Sequence, residues 1–356
     1  MFTQTLRRSA YLLVVFLGIL LAYNSSILDA LKYRSRSINL QFKQRRFSTS
    51  SSSSSSNTTT GGINDIPFKY NVSVAFQPKE RDENKFLNEM FKNKKLDSPT
   101  GEDNYFIAAK SAHEIAVGVA DGVGGWAELG YDSSAISREL CKAIENGYLY
   151  GKDAIFSTNP QYLLNEAFET IQKNGVVKVG GTTACLGVFK SDGILNVANL
   201  GDSYCGVFRE NKLILATKIQ THGFNTPYQL AIIPQEIWDK HTKKENGKKG
   251  RFIMDKPMDS DTYEFKLQKN DIIMFATDGV IDNINIQDIE IFLKDNEDLK
   301  INEISQKFVD KVYELSIDEE FSSVFSQELS KLTKQFYTGG KEDDITVVFV
   351  QVDQNL

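Results

Sequence analysis

Residues 113–122 read HEIAVGVADG, an apolar run rich in Val and Ile that ends in an Asp-Gly pair. Six later segments are similarly rich in β-branched and aromatic residues: GGTTACLGVF (180–189), ILNVANLGDS (194–203), YCGVFRE (204–210), KLILATK (212–218), DIIMFATDG (271–279) and DDITVVFVQV (343–352). Runs of this kind, bounded by Gly, Asp or Asn, predict β-strands closed by turns. Only a few residues separate several of them, which favours antiparallel pairing over crossover helices.

Amphipathic segments interrupt these predicted strands. Apolar residues recur every four positions from Ile136 to Tyr148, and Pro160, directly after Asn159, is a typical first residue of a second helix. Further helical stretches cover 302–316 and 326–334. Helices with one apolar face pack on sheets. We therefore predict an α+β fold, a four-layer α-β-β-α sandwich of two antiparallel sheets flanked by helices.

Charge separates the N-terminal part of the chain from the rest. Residues 1–60 contain eight Lys and Arg against the single acid Asp29, a formal charge of +7, so the remainder carries −13 of the total of −6. A basic leader on an acidic body is typical of a targeting segment. The acidic body argues against nucleic acid as a partner, because binding to phosphate backbones requires Lys and Arg.

Two hypotheses account for the leader, residues 1–47. In the first, it is a transit peptide for the mitochondrial matrix, since 31–50 is rich in Arg and Ser without an acid and RRFS (45–48) resembles a processing site. In the second, residues 10–28 anchor the protein in an internal membrane such as the nuclear envelope or endoplasmic reticulum. As a helix, the apolar run 10–23 is about 21 Å long, short of the ~30 Å hydrocarbon core, and extension to 28 nearly spans it. We prefer the first, and predict that the Ser/Thr-rich tract 48–69 is a linker before a domain at 70–353.

The three cysteines, Cys141, Cys185 and Cys205, include no C-x-x-C pair. A disulfide framework or a structural zinc site therefore lacks its ligands. We expect each cysteine to be a small buried apolar residue in a chain that folds in a reducing compartment or in the mitochondrial matrix.

Carboxylates recur where the apolar runs end: Glu102, Asp103, Asp121, Asp278, Asp343 and Asp344. Taken singly, an Asp-Gly after a strand is usually only a turn. Together, acids that converge at one edge of a sandwich repel one another unless cations lie between them, and oxygen-only ligation selects Mg²⁺ or Mn²⁺. Two such ions that share a carboxylate lower the pKa of a water molecule between them and direct it at a phosphate.

The motifs ED (102–103), DGVGGW (121–126), GGTTA (180–184), NLGDS (199–203), ATDG (276–279) and GKEDDIT (340–346) occur in that order. Over about residues 70–353 they resemble the type 2C metal-dependent protein phosphatase family, most closely a mitochondrial branch in which DGVGGW replaces DGHGG. The resemblance implies hydrolysis of phosphoserine and phosphothreonine on phosphoproteins, mitochondrial metabolic enzymes among them.

The resemblance also implies a set of ligands for two Mg²⁺ or Mn²⁺ ions. Asp121 is implied to bridge both ions. The Gly122 carbonyl and Glu102 complete one of them, and Asp278 and Asp343 complete the other. Water fills the remaining positions, as Mg²⁺ prefers.

Asp103 is implied to hold waters at the ions and, with Asp121, to be catalytic. Two features depart from the family pattern. Val123 stands where many relatives have the histidine assigned as general acid, and the arginine before the ED pair is absent, with Lys94 or Lys95 as the substitute cation. These departures predict a competent but slower enzyme. The alternative is a catalytically weak or inactive binding protein that keeps the phosphatase fold; its signature would be a missing metal ligand, and all the expected carboxylates are present.

A dinucleotide-binding protein is the other function that a motif suggests, since residues 122–127 match G-x-G-x-x-A. That fingerprint requires a helix that opens directly on the glycines within a βαβ unit. Here helical periodicity begins only after Asp132, and the later strands are hairpin-like. The match is therefore interpreted as accidental.

The polar, basic stretch 237–251 predicts an exposed flap. Such a flap suits contact with an acidic phosphosubstrate, and an ordinary solvated loop accounts for its composition equally well.

Overall fold

The computed structural model describes residues 67–81, 98–244 and 252–354, all of which belong to one compact unit. The strands are β1 Phe68–Gln77, β2 Asp103–Ala109, β3 Ile115–Asp121, β4 Gly180–Thr182, β5 Ala184–Phe189, β6 Ile194–Leu200, β7 Tyr204–Arg209, β8 Lys212–Ala216, β9 Thr221–Gly223, β10 Thr226–Pro227, β11 Leu230–Ile232, β12 Asp261–Lys266, β13 Ile272–Ala276 and β14 Ile345–Gln354. The α-helices are α1 Gly125–Glu128, α2 Ser134–Tyr150, α3 Pro160–Asn174, α4 Gln235–Lys244, α5 Asp278–Ile281, α6 Ile286–Asp295, α7 Ile301–Ser316 and α8 Val324–Thr333.

Two five-stranded sheets form the centre of this unit. One has the order β1-β14-β13-β7-β8 and the other β12-β6-β5-β3-β2, and neighbouring strands in both are antiparallel. Two small two-stranded sheets, β4 with β11 and β9 with β10, lie outside them.

Alternation along the strands divides the apolar side chains among three layers. In β3, Val117 and Val119 belong to the core between the sheets, whereas Ala116 and Ala120 belong to a second core shared with α2 and α3. In β14, Val348 and Val350 face the other sheet, and its intervening residues pack in a third core with α6 and α7. Three apolar layers between four layers of secondary structure confirm the predicted α-β-β-α sandwich.

Helix α3 begins where the sequence places its capping residue. The Asn159 side chain accepts a hydrogen bond from the backbone N–H of Tyr162 at 3.1 Å, and Pro160 follows it as the first residue of α3. Gly175 then ends this helix in the left-handed conformation, with φ of 63°. All three cysteines are free and buried, as predicted.

Several elements differ from the sequence prediction. The pattern did not indicate β2, β12 or α6, and α4 occupies the first part of the predicted flap. Strand β1 begins at Phe68, inside the predicted linker 48–69, because this segment pairs along its whole length with β14.

The predicted targeting segment, the run 10–28 and most of the linker lie outside the described residues. Within the three described ranges, no helix combines the length and apolar character that a membrane span requires.

Candidate active site

The predicted site residues come from strands that meet at one edge of the sandwich. Asp121 ends β3 and Asp103 begins β2, where the two residues are paired in register. Asp278 follows the end of β13, and Asp343 precedes the start of the adjacent strand β14. Asp103 and Asp343 thus lie at strand beginnings, which corrects the expectation that all the acids follow strand ends. Antiparallel pairing brings beginnings and ends to the same edge.

Asp121 lies at the centre of this group of acids. Burial of its carboxyl raises its pKa well above the usual range, and the nearby charges of Asp278, Asp103, Asp343 and Asp202 raise it further. Like charges this close together oppose ionisation of the Asp121 carboxyl. A site of this kind favours the binding of compensating cations.

The GGTT motif holds the backbone of Asp121 in place. The Thr182 hydroxyl and the Thr183 backbone N–H both donate to the Asp121 carbonyl, each at 2.9 Å. The Asp121 N–H donates to the Thr183 hydroxyl at 3.1 Å, and the Val123 N–H donates to the Gly181 carbonyl at 2.9 Å. The motif therefore contributes to the site by fixing the turn that carries Asp121.

Gly122 lies where two backbone segments approach closely. A Cβ atom on this residue would lie 2.4 Å from the Ser133 carbonyl oxygen and 2.7 Å from the Glu102 carbonyl oxygen. Its N–H donates to that Glu102 carbonyl at 3.1 Å. Only glycine fits between the segment that carries Glu102 and the start of α2.

Glu102 is held by contacts on both sides. The Ser133 hydroxyl donates to Glu102 Oε1 at 2.5 Å, and the Glu102 N–H donates to Asp344 Oδ2 at 2.8 Å. The preceding Gly101 has φ of +75° and lies against Asp344, whose Oδ1 is 2.2 Å from the position of an added Cβ. Burial opposes ionisation of Glu102, but the charge of Lys79 and the hydrogen bond from Ser133 outweigh it and lower its pKa.

Asp103 connects the two large sheets at this edge. Its Oδ2 accepts a hydrogen bond from the Thr277 hydroxyl at 2.8 Å, while its buried Oδ1 has no hydrogen-bond partner in the described part of the chain. Burial and the charge of Asp344 raise the pKa of Asp103 well above its usual range. A buried carboxylate oxygen that lacks a hydrogen-bond partner and lies near other carboxylates fits a site where hard divalent cations and their waters would supply the missing contact.

Asp202 of the NLGDS motif and Asp282 extend the acidic group. Burial and the charge of Asp278 raise the pKa of Asp202, and the buried Oδ1 of Asp202 has no hydrogen-bond partner within the described ranges. Burial raises the pKa of Asp282 to about 6, against the opposing charge of Lys341. No sequence pattern singled out Asp282, which follows Asp278 by one turn, at the C-terminal end of α5.

Three cations that the sequence did not single out lie among these acids. Lys79 Nζ is 2.9 Å from Glu102 Oε2 and 2.8 Å from Asp343 Oδ1. The Arg81 guanidinium bonds to both oxygens of Asp344 and lies 3.1 Å from Glu102 Oε2.

Lys341 is the third cation, and its Nζ lies 2.6 Å from Asp278 Oδ2 and 3.5 Å from Asp343 Oδ2, with Asp282 as a further ion-pair partner. Burial lowers the pKa of Lys341, but these three carboxylates outweigh burial and hold the pKa well above its usual range. The expected substitutes, Lys94 and Lys95, lie outside the described residues.

The lysine and arginine side chains occupy space between the acids. Across the described part of the chain, no three His, Cys, Asp or Glu side chains form a group ready to hold a metal ion. The predicted ligands nevertheless lie near one another, because the charges of Asp278 and Asp343 raise the pKa of the Asp121 carboxyl. Metal binding would therefore require ammonium groups to move aside.

Comparison with known proteins gives matches over most of the chain. The family profile of Stage II sporulation protein E (SpoIIE) matches residues 111–353. Protein phosphatase 2C homolog 7, mitochondrial, of Saccharomyces cerevisiae is 52% identical over 300 residues, which cover 82% of this chain and 85% of the relative. The protein phosphatase PTC7 homolog of Xenopus laevis is 34% identical over 253 residues, 70% of this chain and 80% of the relative. The X-ray structure of the photosystem II phosphatase PBCP aligns with a TM-score of 0.60 at 25% identity, over 79% of this chain and 98% of that one.

Proposed function

Because the chain belongs to the protein phosphatase 2C family of metal-dependent serine/threonine phosphatases, we propose that the carboxylates around Asp121 are its catalytic metal centre. The observation that supports this assignment is the convergence of Asp103, Asp278 and Asp343 on the half-buried Asp121 at one edge of the sandwich. Acids so placed repel one another, and the fold tolerates them because binding of divalent cations offsets the repulsion.

The ligands are assigned as the family pattern implies. Asp121 would be shared by two ions, Glu102 and the Gly122 carbonyl would hold one of them, and Asp278 and Asp343 would hold the other. When bound, two Mg²⁺ or Mn²⁺ ions supply the charge that neutralises the phosphate and lowers the pKa of an attacking water molecule.

Asp103, Lys79 and Arg81 complete the proposed site. Asp103, oriented by Thr277, positions waters with its second oxygen. Lys79 and Arg81 present their charges at the same edge and supply the cations for the substrate phosphate.

Neither of the two histidines whose side chains the structure describes is placed to supply the proton for the leaving alkoxide. Val123 carries no proton to donate, His113 bonds to the Phe68 carbonyl, and His222 bonds to Asp255. We assign the proton to a water molecule ordered by Asp103. This arrangement predicts a competent phosphatase with a slower chemical step than a relative that has the histidine.

Phosphate release from a phosphothreonine peptide tests the assignment. The full chain is assayed with Mn²⁺, with Mg²⁺ and with excess EDTA, beside Asp278→Asn and the matched control Asp310→Asn, whose side chain is exposed on α7. We expect metal-dependent turnover that EDTA and Asp278→Asn abolish and Asp310→Asn leaves intact. Absence of turnover from folded, metal-loaded protein would instead identify a binding protein that keeps the phosphatase fold.

We also propose a mitochondrial location and a phosphoprotein substrate among mitochondrial metabolic enzymes. The yeast relative is named as mitochondrial, and residues 1–60 have the basic composition of a transit peptide. Carbonate extraction of mitochondria, with mass determination of the mature N-terminus, distinguishes the matrix from a membrane. Cleavage near residue 47 and release by carbonate support the matrix, and an intact chain retained in a membrane supports an anchor at 10–28.

A further inference from the structure

Lys341 lies between the two carboxylates assigned to the second metal ion alone. Its Nζ is 2.6 Å from Asp278 Oδ2 and 3.5 Å from Asp343 Oδ2, and Asp282 is a third partner. The side chain is only 14% exposed, so little water competes for the ammonium group. A compact cation thus occupies the space in which Asp278 and Asp343 would meet a divalent ion.

The backbone of Lys341 is fixed to the loop that carries Asp278 and Asp282. The Lys341 N–H donates to Asn283 Oδ1 at 2.8 Å, and Asn283 Nδ2 donates to the Lys341 carbonyl at 2.9 Å and to the Gly279 carbonyl at 2.8 Å. The Phe325 ring lies 5.3 Å from Nζ and covers the ammonium group. The side chain therefore starts from a fixed point beside the acids, and only its flexible stem can move the charge away.

We propose that Lys341 is a built-in counter-ion that competes with the second divalent cation for Asp278 and Asp343 and weakens the binding of that ion. The proposal rests on the metal centre proposed above. At the first site, Lys79 and Arg81 contact Glu102, whereas the other assigned ligand, the Gly122 carbonyl, carries no charge to pair. At the second site, the Lys341 ammonium contacts both carboxylates that belong to that ion alone, and Lys79 Nζ lies 2.8 Å from the other oxygen of Asp343.

The consequence is unequal affinity of the two ions. Binding of the first ion would displace Lys79 and Arg81 from one carboxylate, that of Glu102, whereas binding of the second would require the Lys341 ammonium to leave both Asp278 and Asp343. The Lys341 ammonium offsets part of the negative charge of Asp278, Asp282 and Asp343. Occupancy of the second metal site, and with it activity, would then depend on the concentration of free divalent cation over a range that Lys341 sets.

Titration of the full chain with Mn²⁺, with the free ion measured by electron paramagnetic resonance, tests the proposal without an activity readout. We expect two classes of site in the wild-type protein and a tightening of the weaker class by about tenfold or more in Lys341→Met, because a unit charge a few ångströms away is removed. Lys341→Arg keeps the charge and is expected to keep the weak class. Lys173→Met removes the same charge from an exposed ion pair with Glu169 on α3, and we expect it to change neither Mn²⁺ dissociation constant.

The outcomes separate the two proposals. Wild-type protein that binds no Mn²⁺ would contradict the metal centre itself, and the role of Lys341 with it. If Lys341→Met binds two Mn²⁺ ions with unchanged or weaker affinity, only the proposed counter-ion role of Lys341 is contradicted. A rise in KM for the phosphopeptide in the same variant would assign Lys341 to substrate binding instead. If circular dichroism shows that Lys341→Met is unfolded, the same titration with Lys341→Gln decides the question.

Discussion

At the scale of single residues, the site depends on close packing of backbone as much as on charge. Gly122 carries no functional side chain, yet the Glu102 and Ser133 carbonyls leave no room for a Cβ atom at this position. Gly125, three residues later, has no neighbouring atom within 4 Å of its own Cβ position. The two glycines of one motif therefore have different physical requirements.

The first prediction follows from this contrast. Gly122→Ala is expected to lower the free energy of unfolding by about 1–3 kcal/mol, because the added methyl group must displace backbone. Gly125→Ala is expected to have little effect on it. Urea unfolding of both variants in EDTA measures this difference. Equal stability of the two variants would show that the Glu102 and Ser133 backbone segments shift at little cost to admit a Cβ atom.

Two roles of Arg81 can be tested separately, the binding of substrate phosphate and the positioning of Glu102 and Asp344. Its guanidinium bonds to both oxygens of Asp344 and lies 3.1 Å from Glu102. We predict that Arg81→Ala raises KM for a phosphopeptide about tenfold with a smaller change in kcat, since a hydrogen bond to a charged group is worth about 1.5–3 kcal/mol. Arg81→Lys should recover part of the loss.

A purely structural role of Arg81 gives a different result. If the guanidinium served only to position Glu102 and Asp344, Arg81→Ala would weaken Mn²⁺ binding and leave KM for the phosphopeptide at saturating metal unchanged. Measurement of KM at several Mn²⁺ concentrations distinguishes the two roles.

At the scale of elements, short-range rules account for the helix boundaries. Asn159 caps α3 through the Tyr162 N–H, and Pro160 and Gly175 mark its two ends. We predict that Asn159→Ala lowers the free energy of unfolding by about 1 kcal/mol, with Asn159→Asp close to wild type. Gln172→Ala, at an exposed position of the same helix, is the control, and equal losses in Asn159→Ala and Gln172→Ala would contradict a capping role.

The elements that the sequence did not reveal are those whose patterns depend on tertiary context. Strand β2 opens with the polar residues Asp103 and Asn104, so its apolar character begins late. Strand β12 lies at an edge of the sheet and alternates, with Glu264 and Lys266 exposed. Lys79 and Arg81 were missed for a related reason. They follow β1, and only the pairing of β1 with β14, far away in sequence, brings them to Asp343 and Asp344.

The acids themselves could be predicted, because each lies beside an apolar run and the motif order is specific. Their mutual distances could not, since these depend on which strands are neighbours. The Lys341 contact illustrates the difference, because the residue is only two positions from Asp343, and its partners Asp278 and Asp282 come from another strand and helix. Sequence proximity identified the motif, and topology determined what its lysine binds.

At the scale of the whole molecule, the fold carries a concentration of charge that opposes its own stability. Buried Asp103 and half-buried Asp121 and Asp202 have carboxyl pKa values held well above the usual range, and burial raises the pKa of Asp282 to about 6. A raised folded-state pKa means that the folded protein holds protons which the unfolded chain releases. The stability contributed by such a group is complete below its unfolded pKa and is lost as pH rises through the folded pKa.

The metal-free protein is therefore predicted to lose stability as pH rises from 5 to 7, through the pKa of Asp282 at about 6. Glu102 and Asp343, whose pKa values are lowered, act in the opposite direction, but their stabilising contribution is lost only below the ordinary carboxyl range and so outside this window. Thermal melts in EDTA at pH 5, 6 and 7 measure the effect.

Saturating Mn²⁺ should reverse the trend, since a bound cation favours ionised carboxylates and its affinity grows as they lose protons. Melting temperatures that rise with pH in Mn²⁺ and fall with pH in EDTA would show that the acids of this edge are maintained at a cost in stability that metal binding offsets. Parallel curves in the two conditions would mean that the repulsion among these carboxylates is already relieved by Lys79, Arg81 and Lys341, and that the metal adds little to the folded state.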